Sequence, residues 1–394
     1  MDRTTVITRR KAIGAMAIGL VAPAVLRGRY QLFAQSNAQY SARAVRLLES
    51  SVVIDLLNQF QFQDFSIQPP KIDQWLSLPG TFTADDARRY QQSGITVFAL
   101  GLGARSYDEG LLFYARWNGF LAAYSDWFTR IDDVSDFTRA KTQKKVGVML
   151  TLQDSSHFRT PDDVQTFFGL GQRISQLTYN FNNRIGSGFL EQRDGGLSVF
   201  GLSILQRMEQ VGMAVDVSHC GDQTTLDVLE AAKKPVIFTH ATARALLPGH
   251  LRCKTDEAIQ KMAKSGGLMG IAMIRFMVRN SEPVTLEHVL DHVDYVTKLV
   301  GVEHVAIGSD LDVVGNPNAV NGGGFDPRTQ PNFARYQYHE DADGAITIRG
   351  LNHAQRVFDL TEGLIRRGYT DAQIAQILGG NAVRVLGAIW PAQK

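Results

Sequence analysis

Two cysteines in 394 residues leave no disulfide framework, so the fold must rest on a hydrophobic core. No block of like charge occurs beyond the first 30 positions, and 41 basic against 39 acidic residues leave a formal charge of +2, which disfavours a nucleic-acid partner. Low-complexity tracts are absent. The dinucleotide fingerprint is missing, because GLGAR at 101–105 is a lone glycine pair with no third glycine in register and no acidic partner ~20 positions on. Ser203, Ser218 and Ser309 lack a Gly-x-Ser-x-Gly setting, so a serine nucleophile finds no support. The apolar run AIGAMAIGLVAPAVL is shorter than the ~20 residues that span a bilayer. A final absence is local: SVVID at 51–55 reads as a strand, yet its continuation LLNQF supplies no metal-capable side chain.

The N-terminus has the character of an address. Arg3, Arg9, Arg10 and Lys11 precede that run of small apolar residues, and TRRKAIG resembles a twin-arginine export signal. Residues 1–36 are therefore expected to be removed, leaving 37–394 as a single domain in the periplasm or outside the cell, with no stable membrane span after processing. In that oxidising compartment Cys220 and Cys253 form either one bridge or two packed thiols.

Apolar runs bounded by turn signals give eight strands: 51–55, 95–100, 146–152, 174–179, 214–219, 235–240, 267–273 and 304–310. Helical patterns lie between them, among them DDVQTFFGLGQ, LSILQRMEQVG, TTLDVLEAAKK, DEAIQKMAKSG and LEHVLDHVDYVTKLVG. Continuous apolar strands alternating with helices imply a parallel sheet covered on both faces, and eight of them predict an α/β fold of the (β/α)8 TIM-barrel type. Residues 56–94 and 313–350 break the rhythm after the first and last strands, on the face where barrel enzymes place their chemistry.

Three strands end in metal-capable groups: AVDVSH in His219, PVIFTH in His240 and HVAIGSD in Asp310. Strand ends share one mouth in a barrel, so these three converge. Two imidazoles and a carboxylate suffice for one metal ion and one activated water, with Asp310 suited to take a proton and return it to a leaving amine. His288 and His292, at i and i+4 of a helix on the outer ring, are expected to be solvated or packed. His250 is placed near the pocket through Arg252.

The motifs QLTYNFNN, GGLSVFG, VDVSH, PVIFTH, HLRCKTDEAI, IGSDLD and ILGGNAVRVL, in this order along the chain, resemble the membrane dipeptidase (renal dipeptidase-like) family of the amidohydrolase superfamily over residues ~50–388. The resemblance implies a metal-dependent hydrolase of dipeptides with a free carboxyl end, two zinc ions and a homodimer. The family's first strand ends in Asp-Gly-His-Asn-Asp. Here Asp55, Leu56, Leu57, Asn58 and Gln59 stand there, so the ligand histidine and second aspartate are replaced by Leu57 and Gln59. The bridging glutamate falls on Gln153 or Asp154 of LQDSSH; a matching His157 favours Asp154, strand-end position favours Gln153. The carbonyl-polarising histidine corresponds to Tyr179, beside Asn180, and the carboxylate-gripping arginine to Arg252. The expectation is one zinc per chain on His219, His240 and Asp154 or Gln153, with Tyr179, Asn180 and Arg252 binding a small dipeptide or amide and Asp310 moving the proton. The alternative is a catalytically silent relative that binds a peptide or cell-wall fragment.

Overall fold

The computed structural model describes residues 29–31, 38–60, 71–101, 103–281, 283–313, 315 and 348–391. Apart from residues 29–31, the predicted address lies outside them, as do 61–70 and 316–347 of the two long stretches.

The predicted strands all form: β1 Ile54–Asn58, β2 Val97–Leu100, β3 in two pieces (Val146–Met149 and Thr151–Gln153), β4 Ile174–Gln176, β5 Ala214–Asp216, β6 Val236–Ala241, β7 Met269–Ile271 and β8 Val305–Ile307. Every neighbouring pair is parallel. The first piece of β3 pairs with β2 and the second with β4, while β8 returns to β1 through Ile307 and Asp55. The circuit therefore closes into a barrel through one chain segment interrupted only at Leu150. A short strand, Phe128–Arg130, pairs with the first piece of β3 outside the ring. With only three residues it carries too little alternation to be read from sequence. The five helical patterns form as Pro161–Gly169, Val199–Val211, Asp222–Ala231, Asp256–Lys264 and Leu286–Val300.

One end of the barrel is sealed. Ile54, Leu56, Val97, Ala99, Ile174, Ala214 and Ile237 point into a core that also holds Val385, Leu386 and Ile389 from the C-terminal helix Asn381–Ile389 and Trp390 just after it. Each of the buried valine, leucine and isoleucine side chains contributes about 1.5–3 kcal/mol. Asn381 fixes the helix by donating from Nδ2 to the carbonyls of Val302 and Val305, at 2.8 Å each, where β8 begins. That gives the GGNAVRVL motif a structural role and leaves the strand C-termini as the open face. Gly308, after β8, lets that strand pass against β6, for a Cβ there would collide with the Thr239 carbonyl oxygen.

Two buried aspartates strap neighbouring strands together. Asp55 of β1 accepts from the backbone N–H of Ser309 (2.7 Å), the Ser309 hydroxyl (2.5 Å) and Asn58 Nδ2 (3.1 Å), joining β1 to the end of β8. Asp216 of β5 accepts from Ser218 N and Oγ (2.9 and 2.5 Å) and from Thr239 N and Oγ1 (3.1 and 2.6 Å), joining β5 to β6. Truncating Asp55 to alanine strands the Ser309 N–H and hydroxyl in a buried place. The expected cost is about 2–5 kcal/mol of unfolding free energy, read as a lower denaturant midpoint; a change below the usual ±0.5 kcal/mol of surface substitutions would contradict the strap.

Candidate active site

The open mouth is organised by two imidazoles. His219, just past β5, and His240, within β6, are both buried and bring their Nε2 atoms to 2.9 Å. Their other ring nitrogens identify the tautomers. Asn180 Oδ1, which can only accept, lies 2.9 Å from His219 Nδ1, so that nitrogen carries the proton. Thr239 Oγ1 donates to Asp216 and so accepts from His240 Nδ1, at 2.8 Å. Both Nε2 atoms therefore present lone pairs, and the two lone pairs face each other. Burial, followed by the nearby Arg252, holds both imidazoles neutral, with pKa values well below the ordinary histidine range; the Lys254 ammonium adds to this.

The strand-three residue that reaches this pair is Gln153, whose Nε2 donates to His240 Nε2 at 3.2 Å. Asp154 does not join it. With φ of 99° it turns back, and its Oδ1 accepts from Ser156 N (2.9 Å), Ser156 Oγ (2.7 Å) and Asn183 Nδ2 (2.8 Å). His157, whose match had favoured Asp154, packs in the core against Phe158 and Phe167 with Nε2 3.1 Å from Gln172 Oε1, and burial lowers its pKa to about 4. Position at the strand end, not the histidine match, brings a side chain to the mouth.

Asp310 stands across from the histidines, with Oδ2 3.9 Å from His240 Nε2 and Oδ1 accepting from Gln59 Nε2 at 2.7 Å. Its φ of 58° is a left-handed conformation uncommon outside glycine, held by Asp310 N donating to Leu57 O at 2.9 Å. Burial pushes its carboxyl up to about 7. Arg252 and the Gln59 hydrogen bond pull it down, and the buried Asp55 pushes it further up.

The three expected substrate contacts are placed differently from one another. Tyr179 stacks on His219, ring centroids 4.4 Å apart, with an exposed rim; burial and the Asp310 charge raise its pKa to about 12, so the phenol stays protonated. Asn180 engages its Oδ1 with His219 and acts on the site through that ring. Arg252, expected to grip a substrate carboxylate, is only 2% exposed and donates from Nη1 to Ser218 O (2.7 Å) and from Nη2 to His240 O (2.9 Å). It clamps the two histidine-bearing segments. Beside it the buried ammonium of Lys254 donates to Val217 O, Cys220 O and Thr225 Oγ1, with burial lowering its pKa to about 8.

Neither Asp216, Thr239 nor Lys254 was picked out from the sequence. For Asp216 a signal existed, since Asp-x-Ser is the local pattern in which a carboxylate takes the N–H two residues on. For Lys254 none did. Two further histidines are engaged elsewhere. His292 is buried between Ala243 N and Val278 O (3.2 and 3.1 Å), and His288 pairs with Arg279. His250 Nδ1 accepts from Arg252 N at 3.3 Å. The thiols of Cys220 and Cys253 are free and buried, each accepting from a threonine, Thr178 and Thr242.

Among the described residues no three His, Cys, Asp or Glu side chains form a metal-binding group. The first-strand positions that would complete a second centre hold Leu57 and Gln59, and leucine has no donor atom. A single cation fits better. Two neutral imidazoles aim lone pairs at one point, that of His240 accepting from the Gln153 amide, and the carboxylate of Asp310 stands across from them; imidazole nitrogens of this kind suit zinc.

The chain is similar to known proteins in sequence and in fold. The family model described as membrane dipeptidase (peptidase family M19) matches residues 41–323 and 340–393. Dipeptidase verJ of Clonostachys rogersoniana is 31% identical over 232 residues, 58% of this chain and 52% of that protein. Dipeptidase aclJ of Aspergillus oryzae is 29% identical over 230 residues, 57% of this chain and 47% of that protein. The chain thus spans about half the length of the curated relatives it matches. An amidohydrolase from Pseudomonas aeruginosa superposes with a TM-score of 0.71 at 25% identity, covering 88% of this chain and 99% of that one. A metallo peptidase from Rhodobacter sphaeroides, liganded with a phosphinate mimic of the dipeptide L-Ala-D-Ala, gives a TM-score of 0.68 at 17% identity over 86% of this chain and all of that one, a likeness of fold.

Proposed function

Because this chain belongs to the membrane dipeptidase family, peptidase family M19, we propose that it hydrolyses dipeptides or similar small amides with one zinc ion per chain. The observation that carries the reading is the pair of Nε2 lone pairs held 2.9 Å apart by proton-accepting partners on the far side of each ring. The Gln153 amide satisfies one of these lone pairs, at His240 Nε2, and a cation held by both rings would satisfy the two together.

His219 and His240 would hold the ion, with the side-chain amide of Gln153 beside it. Bound there, zinc supplies a water acidified to a pKa of about 7 and polarises the scissile carbonyl. Asp310 takes the proton at Oδ2 and later hands it to the leaving amine. Tyr179, protonated at neutral pH, donates a hydrogen bond toward the carbonyl oxygen but brings no charge. Arg252 keeps the two histidine segments in register, and its positive charge favours an anionic substrate group nearby. A panel of dipeptides and N-acyl amino acids, assayed with zinc and with chelator, tests the reading. Absence of any metal-dependent turnover would sink it.

The lack of a three-residue group among the described His, Cys, Asp and Glu side chains favours a second reading, a silent relative that binds a peptide without cleaving it. Its signature is thermal stabilisation by dipeptides, unchanged by chelator, with no turnover. Export to the periplasm or beyond follows as a proposal from Arg9 and Arg10 ahead of the small apolar run. No helix among the described residues is long and apolar enough to cross a membrane. Cell fractionation of the full chain decides the location.

A further inference from the structure

We infer that Gln59 is a positioning residue for Asp310, an amide donor that fixes which carboxylate oxygen faces the histidine pair. The inference rests on the reading of Asp310 as the group that moves the proton.

The end of β1 grips Asp310 and its neighbour at three points. Asp310 N donates to Leu57 O (2.9 Å), Gln59 N donates to Leu311 O (3.3 Å), and Gln59 Nε2 donates to Asp310 Oδ1 (2.7 Å). The two backbone bonds hold the main chain of Asp310 at its φ of 58°, but they leave the carboxylate free to rotate about the Cα–Cβ and Cβ–Cγ bonds. Among the described residues, the Gln59 amide is the one side chain shown donating a hydrogen bond to this carboxylate. With Oδ1 so engaged, Oδ2 is the oxygen turned to His240, at 3.9 Å.

The chemical type of residue 59 fits this task. An amide donates without adding charge, so it orients Asp310 without neutralising it. A carboxylate at 59 would repel Asp310 at 2.7 Å, unless a cation or a shared proton lay between them. Glutamine and the apolar Leu57 at the end of β1 are thus mutually consistent. With no donor atom on Leu57 to help hold a cation, a neutral hydrogen-bond donor on Gln59 does the orienting. Gln59 is half-buried, so its bond is only partly exposed to competition from water.

The test is Gln59→Met, which keeps the length of the side chain and removes the donor. A misplacement of a reacting group by about 1 Å costs on the order of 100-fold in rate. The expected result is a fall in kcat of roughly 10- to 100-fold, with KM, bound zinc and melting temperature close to wild type, and, in a crystal structure of the variant, an Asp310 carboxylate rotated away from His240. Gln59→Asn, one methylene too short to reach, is expected to show the same split and serves if the methionine variant does not fold. Unchanged kcat with Asp310 in its wild-type orientation overturns the inference, and so does a parallel loss of zinc, KM and melting temperature, which would mark a merely structural role. If the wild-type protein hydrolyses nothing, the functional reading fails separately, while the orientation of Asp310 in the variant crystal still decides the role of Gln59.

Discussion

Asp310→Asn is expected to lower kcat by roughly 100- to 10,000-fold, the range for loss of a positioned general base, while leaving zinc content near wild type. Asparagine keeps the size of the side chain and can hold its contact with Gln59, but it cannot accept and return a proton. Only the proton-transfer role is removed. The pH dependence follows from the same group. Burial raises this carboxyl to about 7 in the metal-free protein, and a nearby cation pulls it down. A base works when ionised, so activity rises with pH through a midpoint at or below about 7. The part of the acid limb set by this carboxyl disappears in Asp310→Asn. An asparagine variant with wild-type kcat and an unchanged acid limb would remove Asp310 from the mechanism.

His240→Ala is expected to abolish both zinc binding and turnover. This ring is the centre of the site: its Nε2 lies within 2.9 Å of His219 Nε2, 3.2 Å of Gln153 Nε2 and 3.9 Å of Asp310 Oδ2. Removing a partner outside the ligands typically costs 10- to 100-fold in metal affinity, and removing the ring itself costs more. The strap between Asp216 and the backbone and hydroxyl of Thr239 does not pass through the ring, so the barrel is expected to stay folded. Equilibrium dialysis against zinc, with circular dichroism on the same samples, checks this. Wild-type zinc affinity in the alanine variant would contradict the assignment of His240.

The barrel was legible because parallel strands buried on both faces read as continuous apolar runs, and each of the eight was bounded by turn residues. Phe128–Arg130 escaped because it is short and lies outside the ring. Within the mouth, strand-end position located His219, His240, Gln153 and Asp310, since the geometry of a barrel fixes where strand ends point. Hydrogen-bond allegiance was not legible. Asp154 and Gln153 are adjacent and both polar, and only the left-handed turn at Asp154, with Ser156 and Asn183 to receive it, decides which faces the histidines. Arg252 and Asn180 were read as substrate contacts, yet they bind the backbone and ring of the histidine segments. The emptiness of the first strand was plain from Leu57, whereas the bond from Gln59 to Asp310 required coordinates.

The most direct test of a single-metal site is the metal content of the purified, folded chain, measured by elemental analysis after equilibration with zinc and removal of the free ion. One zinc per chain is the expected result, falling to none in His240→Ala. Two per chain would contradict it by requiring ligands that Leu57 and Gln59 do not supply, and none would leave the facing lone pairs of His219 and His240 without the cation on which the proposed hydrolysis depends.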